Sequence, residues 1–222
     1  MRSLLRTYDP RLLRDVALVC LADGVIGISF GAIAVAGGMP AWIPVAMSLL
    51  VFAGAAQFSA VGILLAGGSP LAAAATGLLL NTRTAPLSLA IADSLGTSRP
   101  ARLLGAHLIT DETAAFALAE PEPARRRGVF WLSGLALFTV WNVCVLAGAL
   151  AGDALGDTDA LGLDAAYPAV LLALTLPALR DPGTRRAAVL GAAIALAATP
   201  FLPSGLPVLL ALAGLLALRR PS

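Results

Sequence analysis

Five ionisable side chains interrupt stretches of this sequence that are otherwise apolar: Asp23, Arg83, His107, Asp111 and Glu112. An ionisable group within a membrane-spanning stretch is costly, and it usually serves a functional site or pairs with an opposite charge. Such groups bind charged solutes, relay protons or neutralise one another. The surroundings of each group indicate which of these roles the sequence favours.

Arg83 lies about midway along its apolar stretch, in the segment 81–86 that reads NTRTAP. Pro86 has no N–H to donate to the carbonyl of Thr82, so we predict that the helix is kinked or opened there. A guanidinium beside freed carbonyls can hold a carboxylate through two parallel hydrogen bonds. The segment therefore predicts a polar site within an apolar helix.

Two roles stay open for Arg83. It can bind the carboxylate of a small solute, with Asn81 beside it, or it can form an internal ion pair with Asp23, Asp111 or Glu112. Both roles follow from the cost of burying an unpaired charge.

His107 and Asp111 are four residues apart, which would place them on one face of a continuous helix. Such a pair, with Glu112 next to it, could relay protons within a membrane. The alternative is that this segment lies at the membrane interface, because Arg102 and Glu120 flank it.

Asp23 is predicted to be a counter-ion or a proton acceptor. Gly24, Gly27 and Gly31 follow it three or four residues apart, a spacing that favours close packing against another helix. Gln57 lies among alanines and a glycine. It can bond a solute or a freed carbonyl, and an interhelical hydrogen bond is the alternative.

The composition excludes a soluble globular domain. The 222 residues are 59% hydrophobic and 13% charged, against about 45–50% apolar and about 25% charged in soluble domains. The net charge of +2 gives no basic field for nucleic acid. Cys20 and Cys144 have no CxxC neighbour and are predicted to be packing residues. We predict no metal and no cofactor.

No catalytic motif stands in a suitable context. The pattern G-x-S-x-G at 27–31 lies inside an apolar helix, whereas its chemistry requires a strand that turns into a helix. There is no HExxH and no Walker A motif, so the sequence predicts neither an enzyme nor a catalytic residue.

The apolar residues form eight blocks, and a helix that crosses a bilayer needs about 20 of them. The blocks are Val16–Gly38, Trp42–Ala66, Pro70–Ala92, Ala101–Ala119, Val129–Gly152, Leu163–Leu179, Ala187–Phe201 and Gly205–Leu218. We predict an all-α polytopic bundle of about eight spans that forms one transmembrane domain over 1–222. The last two short blocks are either a tilted pair or one bent hairpin.

Arginines indicate the orientation, since they favour cytoplasmic loops. With 1–15 as a cytoplasmic segment, eight spans place most loop arginines inside, together with both termini. These are Arg2, Arg6, Arg11, Arg14, Arg125, Arg126, Arg127, Arg180, Arg185, Arg186, Arg219 and Arg220. The loop Asp153–Leu163 lies outside and has no arginine, and only Arg99 and Arg102 fall on the wrong side.

The order of several motifs resembles the AzlC-like family of branched-chain amino acid permeases and exporters. The motifs are LADGVIGISFG at 21–31, MSLLVFAGAAQF at 47–58, Asn81 with Arg83, LSLA at 87–90, the segment 107–112, Trp141 and GLD at 162–164. The resemblance extends from about residue 12 to residue 218. The family often has bulky residues after Asn-x-Arg, whereas this chain has Thr84-Ala85-Pro86, which leaves the substrate open.

The resemblance implies a multi-pass secondary transporter of the bacterial cytoplasmic membrane that exports amino acids such as valine or leucine. It also implies a small AzlD-like membrane subunit as a partner. We expect the substrate at Arg83, Asn81, Gln57 and Asp23.

Proton coupling is expected at Asp111, Glu112 and His107. Two other functions remain open. One is a membrane scaffold that does not transport, and the other is an intramembrane enzyme, which would require Ser29 beside His107.

Overall fold

A computed structural model describes residues 8–155, 172, 175, 176, 178–202 and 206–218. Every regular element in this part of the chain is a helix, which confirms the all-α prediction. The helices are α1 Pro10–Ala36, α2 Trp42–Leu50, α3 Gly54–Leu65, α4 Pro70–Asn81, α5 Thr84–Ala90, α6 Arg99–His107, α7 Asp111–Leu118, α8 Pro123–Leu155, α9 Pro182–Ala198 and α10 Leu206–Leu210. Within the same described residues, 3₁₀ helices lie at Ala92–Ser94, Ala178–Arg180 and Ala211–Leu218.

Among the described residues, two helices are long and apolar enough to cross a membrane. They are α1, with 27 residues, and the 30 residues Pro123–Gly152 of α8. They correspond to the first and fifth predicted spans. Helix α1 begins where Asp9 accepts a hydrogen bond from the backbone N–H of Arg11 and Pro10 occupies the first turn. The total number of spans and the sides of the termini stay predictions.

The second predicted span is divided rather than continuous. Helix α2 ends at Leu50 and α3 begins at Gly54. Phe52 between them has a φ of +43°, a left-handed conformation that a helix cannot contain. The helix is therefore interrupted where the sequence predicted an uninterrupted block.

The third predicted span opens at Thr82 and Arg83, as the sequence predicted. Helix α4 ends at Asn81, and Pro86 lies in the first turn of α5, where a missing N–H removes no helical hydrogen bond. The proline thus starts a new helix instead of distorting an existing one.

The fourth predicted span is also divided, and here a continuous helix was the wrong expectation. Helix α6 ends at His107 and α7 begins at Asp111. Thr110 and Thr113 form a capping box, in which each threonine side chain accepts a hydrogen bond from the other's backbone N–H. This reciprocal cap fixes the start of α7.

The chain divides into two compact units, Met1–Gly54 with Asn81–Gly156 and Ala55–Leu80 with Asp157–Ser222. In the first unit α1 packs along α8. A Cβ added to Gly27 would lie 3.2 Å from the carbonyl oxygen of Trp141, and one added to Gly31 would collide with the backbone of Val145. The interpretation of these glycines as packing residues is confirmed.

In the second unit α9 runs antiparallel to the segment 206–218. Gly191 packs against the carbonyl oxygen of Ala211, and Gly214 packs against that of Ala187. The last two predicted blocks thus pack against each other, and the choice between a tilted pair and a bent hairpin stays open.

Several predictions fall largely or wholly outside the described residues. They concern the span Leu163–Leu179, the acidic loop Asp153–Leu163, the motif 162–164, and Arg2, Arg6, Arg219 and Arg220. A single domain over 1–222 also stays a prediction.

Candidate functional site

Arg83 forms an ion pair in the first compact unit. It precedes the first turn of α5, and its Nη1 lies 2.9 Å from Oδ2 of Asp111. The side chain of Arg83 is 53% exposed and that of Asp111 is 41% exposed. Of the partners that the sequence left open, the structure therefore selects Asp111, in a pair that remains accessible.

Asp111 is held in place by its own helix. It is the first residue of α7, directly after the Thr110 cap. The positive end of the helix dipole favours a carboxylate at this position. The carboxylate is therefore fixed at a helix start while Arg83 approaches it from the joint between α4 and α5.

The remaining carboxylates of the predicted site, Glu112 and Asp23, lie in the same unit. Glu112 follows Asp111 in the first turn of α7 and is partly buried. Its carboxyl lies within electrostatic range of Asp23, which lies in α1.

His107 does not share a helix face with Asp111, because α6 ends at one residue and α7 begins at the other. Its Nε2 lies 2.9 Å from the carbonyl oxygen of Leu49, near the end of α2. A carbonyl only accepts, so Nε2 must carry the hydrogen. His107 therefore caps the divided second span, and its predicted part in proton coupling stays untested.

The rings of Phe52 and Phe138 enclose His107. Their centroids lie 6.1 Å and 5.6 Å from that of His107, and 5.0 Å from each other in an edge-to-face contact. Sequence reasoning did not predict this cluster. Its three members are distant in the sequence, and no local pattern shows that Phe52 adopts a positive φ.

Asn81 is the last residue of α4, and its carbonyl accepts a hydrogen bond from Thr84 Oγ1 at 2.7 Å. Gln57 is fully buried in α3 and belongs to the second compact unit. The structure therefore does not bring Gln57 and Arg83 together within one unit. Substrate binding by Asn81 and Gln57 stays a prediction.

Asn142 and Trp141 are the polar side chains that α8 contributes near the second-span joint. Asn142 receives a hydrogen bond of 2.6 Å from Ser48 and donates one of 2.8 Å to the carbonyl of Phe138. The buried ring of Trp141 packs 3.2 Å from the Cβ position of Gly54. Trp141 contributed to the sequence resemblance, but no packing role was predicted for it.

Comparison with known proteins agrees with this architecture. The family described as AzlC protein matches residues 18–155, which include most of α1 and all of α2 to α8. An uncharacterized membrane protein of Helicobacter pylori strain 26695 is 26% identical over 197 residues, covering 88% of this chain and 86% of its own.

A second uncharacterized membrane protein, from strain J99, is 28% identical over 173 residues, covering 77% and 75% of the two chains. No solved structure matches the chain. The family match covers more than half of the chain and includes the Arg83–Asp111 pair. The chain is therefore a membrane protein that belongs to the AzlC family, and its role is related to transport.

Proposed function

We propose that this chain is a secondary transporter that exports branched-chain or other small hydrophobic amino acids across the bacterial cytoplasmic membrane. In this proposal it is the large subunit of a two-component system, and a small AzlD-like membrane protein is its partner. The observation that carries the proposal is the half-exposed ion pair of Arg83 and Asp111 at the joints of two divided helices.

An α-amino acid is complementary to such a pair. Its carboxylate can take the two parallel hydrogen bonds that the guanidinium of Arg83 offers. Its ammonium group then meets Asp111. Divided helices are also where many secondary transporters bind their substrates.

The weakness of an exposed pair supports exchange with a substrate. In water an ion pair as exposed as this one contributes only about 0–1 kcal/mol. A zwitterionic amino acid that binds Arg83 and Asp111 therefore breaks only a weak interaction between them. After Arg83 the chain continues with Thr84, Ala85 and Pro86, small side chains that leave room for an aliphatic substrate.

A membrane scaffold that does not transport is the second candidate. It is favoured by the fact that Arg83 already has an ionic partner within the chain. A purely structural pair, however, would be expected to be sealed from solutes. In the isolated chain the two side chains are 53% and 41% exposed, so the chain itself does not seal the pair, which favours the transporter.

The proposal is tested by the efflux of leucine, valine and methionine from preloaded cells. Cells would express the chain, its small partner, both or neither. We expect faster efflux of leucine and valine with both, and no efflux above background with Arg83→Ala at an unchanged amount of protein in the membrane. Arg83→Lys keeps the charge but loses the planar fork, so it should retain only part of the activity.

Two results would contradict the proposal. Normal export by Arg83→Ala would remove Arg83 from the site. No export by any combination, although the wild-type proteins are folded and inserted, would favour the scaffold.

A further inference from the structure

The second compact unit contains an open apolar cleft of about 310 Å³. It lies between α4, α9 and the segment 206–218, and its volume is near the lower end of pockets that hold small molecules, about 300–1,000 Å³. Only Thr76 and Thr184 among its lining residues are polar, and no charged side chain lines it. An amino acid would find no partner there for either charge, so the cleft suits a hydrocarbon chain.

One end of the cleft is basic. Thr184, Ala188 and Ala192 line it from successive turns of α9. Arg185 directly follows Thr184, and one residue corresponds to about 100° around a helix of 3.6 residues per turn. Arg185 therefore lies at the border of this face. Arg186 lies about 100° beyond Arg185 around the helix, away from the cleft. Both arginines are exposed.

A second arginine belongs to the same end. Arg180 lies two residues before α9 begins, and Asp181 between them caps the helix. A neutral hydrocarbon would gain nothing from this charge. A lipid with a negative headgroup gains about 1 kcal/mol for each basic residue near the membrane surface.

We propose that the cleft binds one acyl chain of an anionic phospholipid, whose headgroup is held at the basic end of α9 by Arg185. The cleft supplies the apolar contact and the arginine supplies the selectivity for a negative headgroup. This lipid site is separate from the amino acid site proposed above and does not depend on it.

The test is photo-crosslinking of the purified full-length protein in vesicles. The probes are phosphatidylglycerol and phosphatidylcholine that carry a diazirine in the acyl chain, and labelled peptides are identified by mass spectrometry. We expect phosphatidylglycerol to label α9 and the segment 206–218 preferentially. Arg185→Gln should lower this labelling roughly fivefold, whereas the matched control Arg186→Gln should keep it.

A second pair of variants tests the cleft itself. Ala192→Phe fills the cleft and should abolish the labelling, whereas Ala193→Phe on the neighbouring exposed face should not. Equal labelling by both lipids, or equal losses within either matched pair, would overturn the proposal. Labelling that disappears only when the small partner is added would also overturn it, because a protein helix would then occupy the cleft.

Discussion

Arg83 and Asp111 approach to 2.9 Å although about half of each side chain remains exposed. Removing one partner of a buried ion pair destabilises a protein by about 3–5 kcal/mol. The corresponding loss for an exposed pair is about 0–1 kcal/mol. Substitution of Arg83 should therefore affect solute binding far more than folding, which makes it a suitable probe of function.

His107 is expected to act through structure rather than through proton transfer. His107→Ala leaves the carbonyl of Leu49 without its donor and should lower the free energy of unfolding by about 0.5–1.5 kcal/mol. His107→Gln retains a donor and should keep most of that stability. Thermal unfolding in detergent measures both values.

The pH dependence of leucine efflux separates the two roles of His107. If His107 only caps α2, the pH profile of leucine efflux in His107→Gln should match that of the wild type. A flattened pH profile in both His107→Ala and His107→Gln, with unchanged stability, would instead assign His107 to proton coupling.

Asp181 makes the start of α9 sensitive to pH. Hydrogen bonds from Thr184, chiefly from its backbone N–H at 2.6 Å, hold the pKa of the Asp181 carboxyl below its ordinary value. The stabilisation is therefore complete above about pH 3.9, the ordinary value, and is lost as the pH falls through the lower pKa of the folded state.

Asp181→Ala should consequently lower the melting temperature near neutral pH. The difference from the wild type should shrink in acid, and Asp181→Asn should behave almost like the wild type because asparagine also caps helices. Melting curves between pH 3 and pH 7 measure this effect. A difference that grows as the pH falls would contradict the assignment.

At the scale of the elements, the three divided spans differ in how well their joints could be predicted. Pro86 marked the break in the third span, since a proline lacks the N–H that a continuous helix needs. The break in the fourth span carried a usable signal as well, because Thr110 precedes two acidic residues that suit a first helical turn. The break in the second span, at Phe52, carried no signal, because a phenylalanine rarely adopts a positive φ.

Substitution of Phe52, in the break between α2 and α3, should have different effects with glycine and with alanine. A non-glycine residue at a φ of +43° is strained by about 1–3 kcal/mol, and glycine at that position is not. Both Phe52→Gly and Phe52→Ala lose the contacts with Phe138 and His107, but only the alanine retains the strain. Phe52→Gly should thus be the more stable variant by about 1 kcal/mol or more. Equal stability in unfolding experiments would show that the joint is not strained.

The contact between α1 and α8 should not tolerate a side chain at Gly31. A Cβ there would lie 2.6 Å from the backbone nitrogen of Ala149 and would also collide with the carbonyl of Val145. Overpacking costs about 1–3 kcal/mol even where side chains can move, and here the obstacle is backbone.

Gly31→Leu should therefore give little monodisperse protein in size-exclusion chromatography. Ala22→Leu on the exposed face of the same helix is the matched control and should behave like the wild type. Equal yields of the two variants would mean that the helices can separate at low cost.

At the scale of the whole molecule, composition was enough to predict a membrane protein built from helices. It was not enough to predict that each compact unit is assembled from two separate parts of the chain. Hydrophobic periodicity is local and does not show which helices pack together. Gln57 illustrates this limit, because its apolar surroundings in the sequence did not show that it belongs to a different compact unit from Arg83.

The central claim is that the guanidinium of Arg83 binds the carboxylate of a transported amino acid. The most direct measurement is leucine efflux through the charge-exchanged double variant Arg83→Asp with Asp111→Arg, beside each single variant. Each single variant places two like charges together, whereas the double variant restores an ion pair. We predict that the double variant folds with the yield of the wild type but does not export leucine, because the guanidinium is no longer at the joint of α4 and α5. Export at the wild-type rate by the double variant would contradict the account and would make the pair a structural one.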